Sequence, residues 1–191
     1  MKKGCTNLGM PPGHDTTDGE IGHIWDAIQA AAYTSKVDHR FVLAILMQES
    51  LGCVRVWQTA NENKNPGLMQ DHDGSFNCNT GTEGDWTQMV NPCPADKING
   101  MVQDGVGGTS AGAGLAELLN NAINEGNALR ALNMNADNAQ VFYQAARKYN
   151  SGRVDDNNLN NGFQSTHCYV MDIANRLTGW VSADRSCTPN S

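Results

Sequence analysis

The stretch Phe41-Val-Leu-Ala-Ile-Leu-Met47 places seven apolar residues in a row, and Gln48-Glu49-Ser50 follow at once. Asp38 stands before the run, a residue type that accepts hydrogen bonds from free amides at a helix start, and Gly52 stands after it, where a helix can reverse. A helix that is apolar on every side has to be buried. This one falls far short of the ~20 apolar residues of a membrane span. The spacing therefore predicts a central helix that the rest of the chain must enclose. It also predicts that a carboxylate, Glu49, is carried to the end of the most hydrophobic segment.

The enclosing elements read as further helices. Thr17-x-x-Glu20 is a capping box, and Ile21, Ile24, Trp25 and Ile28 follow at helical spacing. Residues 1–16, with Pro11-Pro12-Gly13, read as an irregular lead-in. Residues 53–93 are rich in Asn, Gly, Thr and Pro and read as a long loop, a length usually tied to function. Pro94 suits the first residue of a helix carrying Ile98, Met101 and Val102. A glycine-rich connection, Gly105 to Gly114, leads into Leu115, Leu118, Leu119 and Ile123. Asp137 is placed to cap a helix with Val141, Phe142, Ala145 and Tyr149 that ends near Gly152. A last helix is predicted from about Thr166 through Tyr169, Ile173 and Leu177 to Gly179. Neither a strand nor a repeat stands out. The expected fold is mainly α, with residues 17–191 forming one domain behind the lead-in.

Composition removes several function classes. The formal net charge is −7, and no Lys/Arg cluster stands out beyond Lys2-Lys3 at the terminus, so nucleic acid is not an expected partner. A membrane is not expected either, for want of a span. The cysteines Cys5, Cys53, Cys78, Cys93, Cys168 and Cys187 form no CxxC and match no zinc template. Their even number in a polar, glycine-rich chain predicts disulfides formed outside the cytosol. Cys78–Cys93 is the pairing with local support, closing a loop through Gly81, Gly84 and Pro92. Met1-Lys2-Lys3-Gly4-Cys5 does not read as a leader, so a secreted protein would be represented here by its mature form. The histidines lack H-x-x-x-H spacing, and no metal or cofactor is expected. Gly108-Thr-Ser110-Ala-Gly112 fits the nucleophile-elbow pattern but lacks the buried strand that motif needs before it. Asp71-His-Asp73-Gly74 resembles a calcium loop with its glycine two places early.

Two effects act on Glu49. The negative pole of the helix dipole disfavours its ionisation. Val42, Ile45 and Leu46, back along its face, would add desolvation if that face is buried. A carboxylic acid held protonated near neutral pH is what glycosidic cleavage requires of its general acid.

Three later segments extend the pattern: Gly67-Leu-Met-Gln70, then Tyr149-Asn150-Ser-Gly152, then a helix bearing Tyr169. A helix ending in Glu-Ser followed by these three, in this order, resembles glycoside hydrolase family 23. That family holds the goose-type lysozymes and lytic transglycosylases, and the chain is most similar to its secreted fungal muramidases. The likeness spans about residues 38–180. It implies a lysozyme-like helical fold and cleavage of the β-1,4 bond between N-acetylmuramic acid and N-acetylglucosamine. The partner would be peptidoglycan or a related β-1,4 amino-sugar polymer such as chitin, met by a monomeric secreted enzyme. Glu49 would be the catalytic acid and Ser50 its neighbour. Gly67, Leu68, Met69, Gln70, Tyr149, Asn150 and Tyr169 would line the sugar site. Hydrolysis with inversion needs a second carboxylate ~6.5–9.5 Å from the acid. Asp71 and Glu62 are the candidates, with Asp73 read rather as a loop residue. Lytic transglycosylases need no second acid, because the substrate's own 6-hydroxyl attacks. An acidic chain would be repelled by an anionic wall at low salt, which leaves a neutral polymer open as substrate.

Overall fold

The computed structural model describes residues 1–60, 63–131 and 138–180. The protein is mainly α-helical. Its described elements run α1 (Gly4–Asn7), α2 (Asp18–Ser35), α3 (His39–Ser50), β1 (Thr59–Ala60), β2 (Lys64–Asn65), α4 (Ala95–Gly107), α5 (Leu115–Ala131), α6 (Asn138–Ser151) and α7 (Tyr169–Leu177). Contacts divide the chain into two compact units, Met1–Gly114 and Leu115–Ser191.

In the first unit α2 packs on α3 and α4. The capping box forms as read: Thr17 Oγ1 accepts from the Glu20 amide, and Glu20 accepts from the Thr17 amide. Asp38 caps α3 through the Arg40 amide. Phe41, Val42, Ala44, Ile45 and Leu46 are buried and Leu43 and Met47 half-buried, so most of the apolar run is enclosed. The helix ends one residue earlier than Gly52 suggests. Leu51 itself adopts the left-handed conformation at φ 55° and donates to Met47 O, and Gly52 follows at φ 74°. Ile24, Ile28 and Ala31 of α2 and Ile98, Met101 and Val102 of α4 are buried as well.

Several boundaries differ from the sequence reading. The lead-in contains α1, whose Cys5 joins Met10, Cys53 and Val56 in a small cluster with Leu8, Trp86 and Met89 packed on it. The long loop contains a two-stranded antiparallel pair, Thr59 opposite Asn65 and Ala60 opposite Lys64. Pro94 is the N-cap of α4 rather than its first residue. That helix also runs on through Gly105 to Gly107, into what reads as a connection. The glycines are there for close approach, because a methyl group at Gly105 would collide with Met69 and one at Gly100 with Phe76. Gly108–Gly112 is a turn closed by Thr109 N donating to Gly112 O, and the helix before it gives Ser110 no strand to stand on.

In the second unit α6 packs on α5 and on α7. Leu115, Ala122, Ala145, Ala146 and Ile173 are fully buried. Lys148 Nζ donates to Glu125 Oε1 at 2.9 Å and ties α6 to α5. The last helix is shorter than expected, starting at Tyr169 and ending at Leu177. Asp137, the expected cap of α6, lies outside the described residues.

Disulfides join Cys78 to Cys93, as the loop closure predicts, and Cys5 to Cys53. Cys168 is disulfide-bonded too, while Cys187 lies outside the described residues. Such bonds persist in oxidising compartments. Among the described residues no helix is long and apolar enough to cross a membrane.

Candidate active site

Glu49 sits in the last turn of α3, half-buried, with Val42, Ile45 and Leu46 behind it fully enclosed. The helix end beneath it is closed by Ser50. That side chain is fully buried, donates to Leu46 O at 3.0 Å and accepts from the Gly52 amide at 3.2 Å. Ser50 thus holds the reversal that terminates α3 and leaves the position of Glu49 fixed by backbone geometry.

Gly67, Leu68, Met69 and Gln70 form a tight turn, with Gln70 N donating to Gly67 O at 3.1 Å. Gly67 has φ 75°, and a side chain there would collide with Met101. Leu68 and Met69 are fully buried, Met69 against Gly105 of α4. Gln70 spends its amide on the protein: Nε2 donates to Trp57 O at 3.1 Å and Gly67 O at 3.0 Å, and Oε1 accepts from Thr59 Oγ1 at 3.0 Å. It therefore clamps the entry to β1 onto the turn. Trp57 in turn meets Trp86 edge to face, with ring centroids 4.8 Å apart. Sequence reading missed this clamp, because nothing local to Trp57 or Thr59 announces a partner beyond β2.

Asp71 comes next and is only 5% exposed, with neither carboxylate oxygen hydrogen-bonded to another of the described residues. Burial pushes its pKa up to about 7, against the pull of its own backbone amide, and the nearby Asp104 carboxylate adds to the rise. Asp73 lies in the turn at φ 51°, accepting from the Lys64 amide at 3.1 Å. Glu62 lies outside the described residues.

A second polar centre, also missed, fastens the loop. Arg55 is fully buried and ion-pairs with Glu20, the N3 residue of α2, while also donating to Asn91 Oδ1 at 2.7 Å. Glu20 accepts from the Cys93 amide at 2.8 Å as well. Asn79 donates to Arg55 O at 3.2 Å and to Asp85 O at 2.9 Å. The residues around the Cys78–Cys93 disulfide are thereby anchored on the start of α2.

In the second unit the residues picked out by sequence gather on a buried arginine. Arg147 Nη1 donates to Thr166 O at 3.0 Å, and Nη2 donates to Asn150 Oδ1. Its guanidinium carbon lies 5.7 Å from the centre of the Tyr169 ring, which is itself buried. Burial pulls the guanidinium pKa below its ordinary value, with Tyr169 opposing. Tyr149 is half-buried on α6. The flanking Ala145 and Ala146, both fully buried, were the one sequence hint that Arg147 points inward.

Among the described residues no group of three or more His, Cys, Asp or Glu is placed to hold a metal ion. No family model, curated protein or solved structure matches the chain.

Proposed function

We propose that the protein is a secreted muramidase that cleaves the β-1,4 bond between N-acetylmuramic acid and N-acetylglucosamine, with Glu49 as general acid. The observation that carries this reading is the placement of Glu49. It is half-buried at the C-terminal end of a helix whose face behind it is closed to water, in a chain that then presents Gly67–Gln70, Tyr149-Asn150 and Tyr169 in the order of glycoside hydrolase family 23. A half-buried carboxyl can reach a substrate oxygen and still feel the helix dipole. It would donate its proton to the glycosidic oxygen as the bond to the anomeric carbon breaks. The disulfides support an extracellular setting.

Water attack gives a reducing end. Attack by the substrate's own 6-hydroxyl gives a 1,6-anhydro end with no second acid, and the burial of both Asp71 oxygens favours that second reading. The test is mass spectrometry of products from purified bacterial peptidoglycan, with chitin run beside it. Glu49→Gln is expected to lower the rate by about 10²–10⁴-fold, with a thermal midpoint unchanged or slightly higher. Equal rates in the variant and the parent would sink the assignment. Product masses separate the two routes by one water per cut.

A further inference from the structure

The Asp71 carboxyl occupies space that Gly74 leaves open, since a methyl group on Gly74 would collide with Oδ2. The chain beyond it is fastened at every step. His72 O accepts from Thr109 Oγ1 at 2.6 Å, Asp73 N donates to Lys64 O at 2.7 Å, and Ser75 N donates to Asp104 Oδ2 at 3.0 Å. The carboxyl is thus enclosed by a turn locked onto β2 and α4. The charged and titratable groups around it give an anion no help. Asp104 on α4 carries the same sign. In the turn itself, His72 Nε2 and Asp73 Oδ2 lie 3.9 Å apart, turned to each other. Lys64 on β2 meets the turn through its backbone, bonded to Asp73. A carboxylate withdrawn from solvent beside a like charge is strongly disfavoured against the neutral acid.

We propose that Asp71 is a positioning residue that works as a neutral acid. Uncharged, it seats the turn after Gly67–Gln70, and with it the Gln70 clamp on Trp57 and Thr59; ionised, it loosens both. What the clamp serves rests on the glycosidase reading, whereas the titration does not.

Its pKa near 7 puts the change in the neutral range. The sign follows from linkage: between the ordinary value of 3.8 and about 7 the folded protein holds a proton that the unfolded chain has lost. Stability from this group is therefore complete below 3.8, falls as pH rises towards about 7, and is level above.

The experiment compares the parent with Asp71→Asn, which mimics the neutral acid, by thermal midpoint and tryptophan emission across the acid to mildly alkaline range. The midpoints should agree in acid and separate as pH rises, the variant ending higher on the order of 5–10 °C. Parent emission should shift near neutrality, and the variant's should not. Wall clearing by the variant should extend to higher pH. A midpoint difference that is the same at every pH overturns the proposal. So does a variant with a native midpoint that clears no wall at any pH, which would make Asp71 a reacting base. Carbon NMR of the parent gives a check free of variants: one aspartate carboxyl should titrate near neutrality, and its absence overturns the proposal. If the parent clears no wall while the midpoint and NMR results hold, the muramidase reading fails and this one stands.

Discussion

Glu20 and Asp71 are buried alike, 3% and 5% exposed, yet their protonation is driven in opposite directions. Burial pushes the pKa of both upward. For Glu20 that push is overcome by hydrogen bonds from the Thr17 and Cys93 amides and by the Arg55 guanidinium, and the carboxyl ends below its ordinary value. For Asp71 burial outweighs the opposing pull of its own backbone amide, and Asp104 adds to the rise. Depth in the protein sets how much is at stake, and the partners set the sign. The two buried arginines also differ in partners: Arg55 pairs with the Glu20 carboxylate, whereas Arg147 donates to the Thr166 and His167 carbonyls and the Asn150 amide oxygen.

The largest effect should come from breaking the compensated site. Glu20→Gln leaves the Arg55 charge buried without its counter-ion and is expected to cost about 3–5 kcal/mol of folding stability, read by chemical denaturation. Asp71→Asn should move stability the other way at neutral pH. A gain from Glu20→Gln would mean that the ion pair contributes nothing and that the comparison is wrong.

Next in size is the acid limb. Glu20 is depressed below its ordinary 4.5, so its contribution is present above that value and lost as pH falls through the lower folded value. The Glu20→Gln variant should therefore lose less stability than the parent on going from neutral pH into strong acid. Asp71 contributes in the opposite window, on the neutral side. Thermal midpoints followed from strong acid to neutrality would show two separate changes, each removed by one substitution.

The smallest effect sharpens the comparison. Thr17→Ala removes the α2 cap and one hydroxyl near Glu20, yet leaves the Cys93 amide and Arg55 in place. The expected cost is about 1 kcal/mol. A loss as large as that of Glu20→Gln would mean that the cap, and not the ion pair, keeps Glu20 charged.

Much of the helical framework was legible because its signals are short in sequence. The Thr17–Glu20 box and the Asp38 cap satisfy amides within three residues, and α2 and α3 begin where those signals lie. The apolar run could only be a buried helix, and its enclosure by α2 follows. Pairing of Cys78 with Cys93 was suggested by a compact loop between them. Where glycines were taken as a connection, the error was to read flexibility from a residue type. Gly105 is instead a helical position where Met69 presses against the backbone. The β1–β2 pair was illegible because two-residue strands carry no periodicity.

The candidate site was legible as a list of residues and not as a set of roles. Sequence alone determined that Glu49 ends an apolar helix and that Glu20 caps α2, since each depends on neighbours a few positions away. Only the tertiary structure decided that Glu20 also neutralises Arg55, that Gln70 holds Trp57 and Thr59, and that Asp71 is withdrawn from solvent. A helix cap is set by chain geometry within one turn, whereas desolvation and ion pairing depend on what distant segments bring to the same place.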